Sequence, residues 1–100
     1  MINILLVCAG GMSSSALVKR MEVAAAEKGI DARIWAVGDA VAASAAVDAD
    51  VIMLGPQIRY LLNDIKKRVN DEKPVQVIDM MTYGRINGAK VLEDALALLQ

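Results

Sequence analysis

Short apolar runs alternate with longer amphipathic segments along the chain. Residues 2–7 (INILLV) are apolar apart from one asparagine, a pattern typical of a strand that is buried on both faces. We interpret this run as the central strand of a sheet. The predicted strands are residues 2–7, 32–37, 51–54 and 75–78.

The segments between these runs carry apolar residues at helical spacing. In residues 13–28 this pattern includes Leu17, Met21 and Ala24, and Gly29 ends the predicted helix. The predicted helices are residues 13–28, 39–46 with Asp39 as N-cap, 57–70 with one basic face, a short turn or helix at 79–84, and 88–99. Strands that alternate with helices predict an α/β fold, a parallel sheet between two layers of helices, over a single domain at 1–100.

Composition and charge exclude several classes of function. The 100 residues have a net charge of −1 with both signs interspersed and only three aromatic side chains, so nucleic acid is not an expected partner. No apolar stretch approaches the roughly 18 residues that span a membrane. The first residues also lack the basic region of a signal peptide. We therefore expect a cytoplasmic protein without direct membrane insertion.

The chain has one cysteine and no histidine. A single cysteine cannot form an internal disulfide, and the lack of histidine excludes a Cys-His nucleophile pair within the chain. The usual ligands of transition metals are also missing, so we expect no metal and no cofactor. Any phosphohistidine must belong to another protein.

The cysteine, Cys8, directly follows the first strand, at the sheet edge where open α/β folds bind ligands. Two glycines and a helix start would turn backbone N–H groups inward, which favours an oxyanion and predicts a lowered pKa for the thiol. The residues of this predicted phosphate-binding loop are Ala9, Gly10, Gly11, Met12, Ser13, Ser14 and Ser15.

Other interpretations of this loop stay open. Cys8 could be a buried structural residue, and one of the three serines could be only the N-cap of the helix. Neither a Walker motif nor a redox Cys-x-x-Cys is present. A cysteine phosphatase has an arginine six residues after its nucleophile, where this chain has Ser14. A stand-alone phosphatase or oxyanion reductase and an anion-sensing regulatory domain remain alternatives.

Further candidates follow the third and fourth strands. Gln57 could position the loop or a partner, although it also suits a solvated turn. Tyr60 could cover the loop, but packing is the favoured interpretation. Asp79 could act as an acid near Tyr83, but an N-cap is favoured because a carboxylate would oppose a phosphate. Three methionines near this edge suit either an adaptable docking surface or the core: Met12, Met80 and Met81.

Three stretches carry a family resemblance: CAGGMSSSALV at 8–18, LGPQIRYLL at 54–62 and VIDMMTYGRINGAKVL at 77–92. They resemble the IIB component of the lactose/cellobiose family in the bacterial phosphoenolpyruvate-dependent sugar phosphotransferase system. The resemblance implies a four-stranded parallel sheet in order 2-1-3-4, similar to low-molecular-weight tyrosine phosphatases.

The resemblance also implies a mechanism. A phosphohistidine on a IIA protein donates its phosphoryl group to the cysteine that matches Cys8. The IIB protein then passes the group to a β-linked disaccharide, of the cellobiose, chitobiose or lactose type, held by the IIC membrane transporter. A shuttle between two partners needs transient interfaces, so we expect a monomer.

Overall fold

Helices and strands alternate along the chain in the computed structural model. The structure describes residues 1–9, 12–69 and 72–99, with residues 12 and 13 described by their backbone alone. The strands are β1 (Ile2–Cys8), β2 (Ala32–Gly38), β3 (Val51–Leu54) and β4 (Val75–Val77). The helices are α1 (Met12–Glu27), α2 (Ala42–Ala45), α3 (Leu62–Arg68), α4 (Met80–Gly84) and α5 (Gly88–Leu98).

The four strands form one parallel sheet in the order β2-β1-β3-β4, which confirms the predicted order. Two further hydrogen bonds continue the strand pairing beyond β3 and β4. The Gly55 N–H donates to the Val7 carbonyl at 2.8 Å, and the Ile78 N–H donates to the Leu54 carbonyl at 2.7 Å. The carboxyl ends of β1, β3 and β4 therefore meet at one edge of the sheet.

The central strand divides two apolar clusters, as its sequence predicts. Ile4 and Leu6 pack with residues of α1, α4 and α5 on one face, whereas Leu5 and Val7 pack with residues of α2 and α3 on the other. All four side chains are fully buried, and burial of each contributes about 1.5–3 kcal/mol. The result is a sheet between two helical layers.

Two glycines determine how the helices of one layer end and pack. Gly29 adopts a φ of 68°, a left-handed conformation that stops the chain after α1, as predicted. Gly88 begins α5 directly against α1. A Cβ atom at Gly88 would lie 2.5 Å from both the carbonyl carbon of Arg20 and the amide nitrogen of Met21, so the two helices approach closely only because this residue has no side chain.

The single helix predicted at 57–70 is wrong. The chain instead forms a 3₁₀ turn at Pro56–Leu61, with a non-helical Ile58 (φ −118°, ψ 26°), and then α3. The cause is local. The Ile58 N–H donates to the Gly55 carbonyl at 3.1 Å and the Ile58 side chain is buried, which holds the first turn tightly against the end of β3.

The predicted N-cap at Asp39 is also wrong. β2 extends through Gly38, which pairs with Cys8, and Gly38 then takes the N-cap position of a 3₁₀ turn at Asp39–Val41. Asp39 consequently lies inside the turn. The short helix α2 follows. None of the helices among the described residues is both long and apolar enough to cross a membrane.

Candidate functional site

Cys8 is the last residue of the central strand, at the edge where three strand ends meet. The side chain is only 2% exposed. Ala9 follows as an exposed residue, and the backbone of α1 begins at Met12. Gly10 and Gly11 lie outside the described residues, so their part in a phosphate-binding loop stays a prediction.

The three serines after the loop lie in the first turn of α1. Because the helix begins at Met12, Ser13, Ser14 and Ser15 occupy positions inside it, and the interpretation of one of them as the N-cap is wrong. Ser14 is buried and Ser15 is exposed, whereas the side chains of Met12 and Ser13 are outside the described part. The first N–H groups of a helix have no carbonyl partner within it, so this turn brings potential donors to the sheet edge beside Cys8.

Tyr83 approaches Cys8 from α4. Its side chain is 8% exposed and belongs to the same apolar cluster as Cys8, and its hydroxyl lies near enough to the thiol to lower the thiol pKa. The sequence places Tyr83 only near Asp79. A direct contact with Cys8 depends on the orientation of a five-residue helix after β4, which no spacing in the sequence reveals.

The expected lowering of the Cys8 pKa is wrong for the site as it stands. Burial raises the pKa of the Cys8 thiol, because the thiolate loses contact with water, and the nearby Tyr83 hydroxyl lowers it by less. The pKa of Tyr83 is raised to about 12, first by burial and then by the nearby Cys8. Tyr83 therefore keeps its proton at neutral pH and is able to donate a hydrogen bond.

The chain after β3 passes beside the sulfur. A Cβ atom at Gly55 would lie 3.5 Å from the Cys8 Sγ and 3.1 Å from the Gln57 Oε1. The sulfur and the carboxamide oxygen of Gln57, a residue that is otherwise exposed, therefore both border the space that a side chain at Gly55 would occupy. This arrangement brings a neutral polar group into the neighbourhood of Cys8.

Asp79 is the N-cap of α4, as the favoured interpretation predicts. Its Oδ2 accepts hydrogen bonds from the N–H groups of Met81 and Thr82 at 3.1 Å each and from the Thr82 hydroxyl at 3.2 Å. The hydrogen bond from the Thr82 backbone is the largest cause that lowers the pKa of Asp79. A carboxylate that stays ionised in this way is a poor general acid.

Three large side chains close to the ends of β3 and β4 in sequence are exposed: Tyr60 at 77%, Met80 at 63% and Met81 at 62%. The predicted packing of Tyr60 is therefore wrong, and so is a core role for the two methionines. Ile58 occupies the buried side of the 3₁₀ turn and Tyr83 that of α4. Tyr60, Met80 and Met81 lie on the solvent side of these elements.

The site combines a buried thiol, a tyrosine hydroxyl, an amide side chain and the start of a helix. Among the described residues, no group of three or more cysteine, aspartate or glutamate side chains is placed to bind a metal ion. A thiol beside hydrogen-bond donors can form a covalent bond to an electrophile such as a phosphoryl group.

Comparison with known proteins shows the family of this chain. Residues 3–94 match the family described as "PTS system, Lactose/Cellobiose specific IIB subunit". The oligo-beta-mannoside-specific EIIB component of the PTS system of Bacillus subtilis (strain 168) is 42% identical over 98 residues, which are 97% of this chain and 95% of that protein. The cellobiose-specific EIIB component of Lactococcus lactis subsp. lactis is 37% identical over 96% of this chain and 94% of its own length.

Solved structures give the same picture. The solution structure of the cellobiose-specific phosphotransferase IIB component protein from Borrelia burgdorferi matches with a TM-score of 0.81 and 37% identity, over 97% of this chain and 90% of that one. The lactose-specific IIB domain from Streptococcus pneumoniae shares the fold with a TM-score of 0.86 at 20% identity, over 99% and 98% of the two chains.

Proposed function

Because this chain belongs to the lactose/cellobiose-specific IIB family of the sugar phosphotransferase system, we propose that Cys8 carries the phosphoryl group. Members of this family are phosphotransfer components. The donor is a phosphohistidine on a IIA protein, and the acceptor is a sugar bound by a IIC membrane transporter. The observation that supports this proposal best is the position of Cys8, the only cysteine of the chain, at the end of the central strand and beside the start of α1.

The transfer proceeds in two steps. Cys8 reacts as its thiolate after the thiol proton has passed to water; Sγ attacks phosphorus, the bond from phosphorus to the donor imidazole nitrogen breaks, and its electron pair stays on that nitrogen. A sugar hydroxyl oxygen later attacks the same phosphorus, and the sulfur–phosphorus bond returns its electrons to Sγ. The chain has no histidine, so the hydroxyl proton leaves to a base of the transporter or to water.

The residues of the loop supply the phosphate-binding groups in this proposal. Backbone N–H groups and the partial positive charge at the start of α1 stabilise the phosphoryl oxygens, as helix N-termini do for anions. The residues assigned to this role are Ala9, Gly10, Gly11, Met12, Ser13, Ser14 and Ser15. In this role the loop binds the anion without a metal or cofactor.

The surrounding residues have supporting roles. Gln57 helps to position the loop or a partner, because its carboxamide oxygen and the sulfur border the same space beside Gly55. Asp79 holds α4 in place as its N-cap. The exposed side chains of Tyr60, Met80 and Met81 add apolar surface for docking, and the flexible methionines suit a surface that binds two different partners in turn.

The sugar is proposed to be a β-linked disaccharide. Relatives of this chain are named for oligo-beta-mannoside, galactose and cellobiose. The carrier contacts the sugar only through the transferred phosphoryl group, so the transporter selects the substrate. We propose that the protein works as a cytoplasmic monomer that releases each partner readily.

The proposal is tested by intact-mass spectrometry. The protein is incubated at mildly basic pH with phosphoenolpyruvate, the general phosphotransfer proteins and the IIA protein, and wild type is compared with Cys8→Ser. We expect one added phosphoryl group on wild type and none on the variant. The absence of an adduct on wild type, with partners that phosphorylate a known acceptor, would contradict the carrier role and favour the anion-sensing alternative.

A further inference from the structure

We propose that Tyr83 is the hydrogen-bond donor that stabilises the sulfur of Cys8 as thiolate, before it accepts the phosphoryl group and again when it releases it. This inference rests on the phosphocysteine function proposed above and assigns a residue that acts on the reacting atom. Its basis is the buried cluster that contains both residues, in which Cys8 and Tyr83 are the members whose side chains carry a polar hydrogen. The Tyr83 hydroxyl is therefore the donor that this cluster offers to the sulfur.

The environment of the sulfur makes this contact important. Cys8 is 2% exposed and packs in an apolar cluster that contains Leu17, Ile78 and Tyr83. A thiolate in such surroundings loses most of its hydration, which is the reason that burial raises the pKa of the thiol. A hydroxyl donor within the same cluster replaces part of the lost hydration.

Hydrogen bonds of the backbone fix the position of α4, the helix that carries Tyr83. The Ile78 N–H pairs with the Leu54 carbonyl at 2.7 Å, which ties the start of the segment to the sheet. Asp79 then caps α4, and the Tyr83 N–H donates to the Asp79 carbonyl at 2.9 Å. Because Tyr83 is also buried, its ring has little freedom to turn away from Cys8. The donor is therefore positioned before a substrate arrives.

The donor acts differently in the two half-reactions. During acceptance it increases the fraction of Cys8 that is thiolate at neutral pH, at the cost of some intrinsic nucleophilicity. During release, negative charge develops on Sγ as the sulfur–phosphorus bond breaks, and the hydrogen bond stabilises this leaving group. The pKa of Tyr83, about 12, means that its proton stays on the hydroxyl oxygen in both steps.

Alkylation of the cysteine measures this effect without any partner protein. Iodoacetamide reacts with thiolate, and the chain has a single cysteine, so one adduct in the intact mass reports Cys8 alone. In Tyr83→Phe, which keeps the ring, we expect the pH midpoint of the alkylation rate to rise by about one unit. The rate at neutral pH then falls about tenfold, and the two proteins converge at high pH.

The matched control is Tyr60→Phe, because Tyr60 is the other tyrosine and is 77% exposed. Its alkylation midpoint should equal that of wild type. A second variant places 3-fluorotyrosine at position 83 in the Tyr60→Phe background, where Tyr83 is the only tyrosine. The fluorinated hydroxyl is a stronger donor, so this protein should have a lower midpoint than its own background.

Opposite shifts in the two variants support the proposal, because a purely structural role of the ring predicts no dependence on hydroxyl acidity. An unchanged midpoint in a folded Tyr83→Phe protein overturns it. If Tyr83→Phe fails to fold, the fluorotyrosine protein decides alone, and an unchanged or higher midpoint there overturns the proposal. A wild-type protein that accepts no phosphoryl group contradicts the proposed function instead, and the alkylation midpoints still establish whether Tyr83 stabilises the thiolate.

Discussion

Replacement of Gly88 by alanine tests the close approach of α5 to α1. A Cβ atom at this position would lie 2.5 Å from the Arg20 carbonyl carbon, 2.5 Å from the Met21 nitrogen and 2.6 Å from the Arg20 Cβ. Two of these atoms belong to the backbone of α1 and cannot rotate away. The two helices must therefore separate, or the start of α5 must move.

The expected cost follows from two opposing effects. Overpacking of a well-packed interior costs roughly 1–3 kcal/mol. Alanine recovers at most about 1 kcal/mol relative to glycine through its better helix propensity. We therefore expect Gly88→Ala to lower the free energy of unfolding by about 1–2 kcal/mol. For a chain of 100 residues this corresponds to a fall in Tm of roughly 5–15 °C.

Thermal and urea unfolding, followed by circular dichroism, measure the change. The matched control is Gly84→Ala at the end of α4, where a Cβ atom would meet no described atom within 4 Å. That variant loses only unfolded-state entropy, so it should gain about 0.4–1 kcal/mol. A Gly88→Ala protein that melts at or above the wild-type temperature would refute the steric argument.

Two further predictions concern the site. Gly55→Ala should alter the free energy of unfolding by less than about 1 kcal/mol, because the new methyl group meets the movable end of the Gln57 side chain. The methyl group should also cover the sulfur and slow alkylation of Cys8 severalfold. An unchanged alkylation rate would contradict the position of Gly55 beside Cys8. Asp79→Ala should lower Tm above the ordinary pKa of aspartate, whereas Asp79→Asn, which can still cap α4, should lower it less. The pKa of Asp79 is lower in the folded protein than in the unfolded chain. The carboxylate therefore stabilises the fold above the ordinary pKa of aspartate, and this stabilisation is lost as the pH falls through the lowered pKa. Wild type and Asp79→Ala should then have the same Tm in strong acid.

The parallel sheet was predictable because its signal is local and strong. Residues 2–7 have few polar side chains, and the structure buries Ile4 to Val7 completely at the centre of the sheet. The end of α1 at Gly29 was predictable because glycine readily adopts the left-handed conformation found there. The cap at Asp79 was predictable because its hydrogen bonds reach only residues two and three positions later.

The errors involve longer-range effects. Periodicity predicts one helix at 57–70 because Ile58 and Ile65 suit one apolar face, but burial of Ile58 against the sheet requires a tighter first turn. The pKa of Cys8 was predicted from the loop and helix alone, whereas burial under residues distant in sequence has the larger effect. The contact between Tyr83 and Cys8 joins residues from opposite ends of the chain, and no local pattern indicates it.

The central position of β1 has a consequence for how the protein exchanges its amide protons. The strand pairs along its length with β2 and, through residues 4–7, with β3, so its amides can exchange with solvent only when the sheet itself opens. Cys8 ends this strand and is thus attached to the part of the molecule expected to open last. A carrier built in this way keeps its reactive atom at a fixed place, and the adjustment to each successive partner falls to the exposed side chains around it and to the partners themselves.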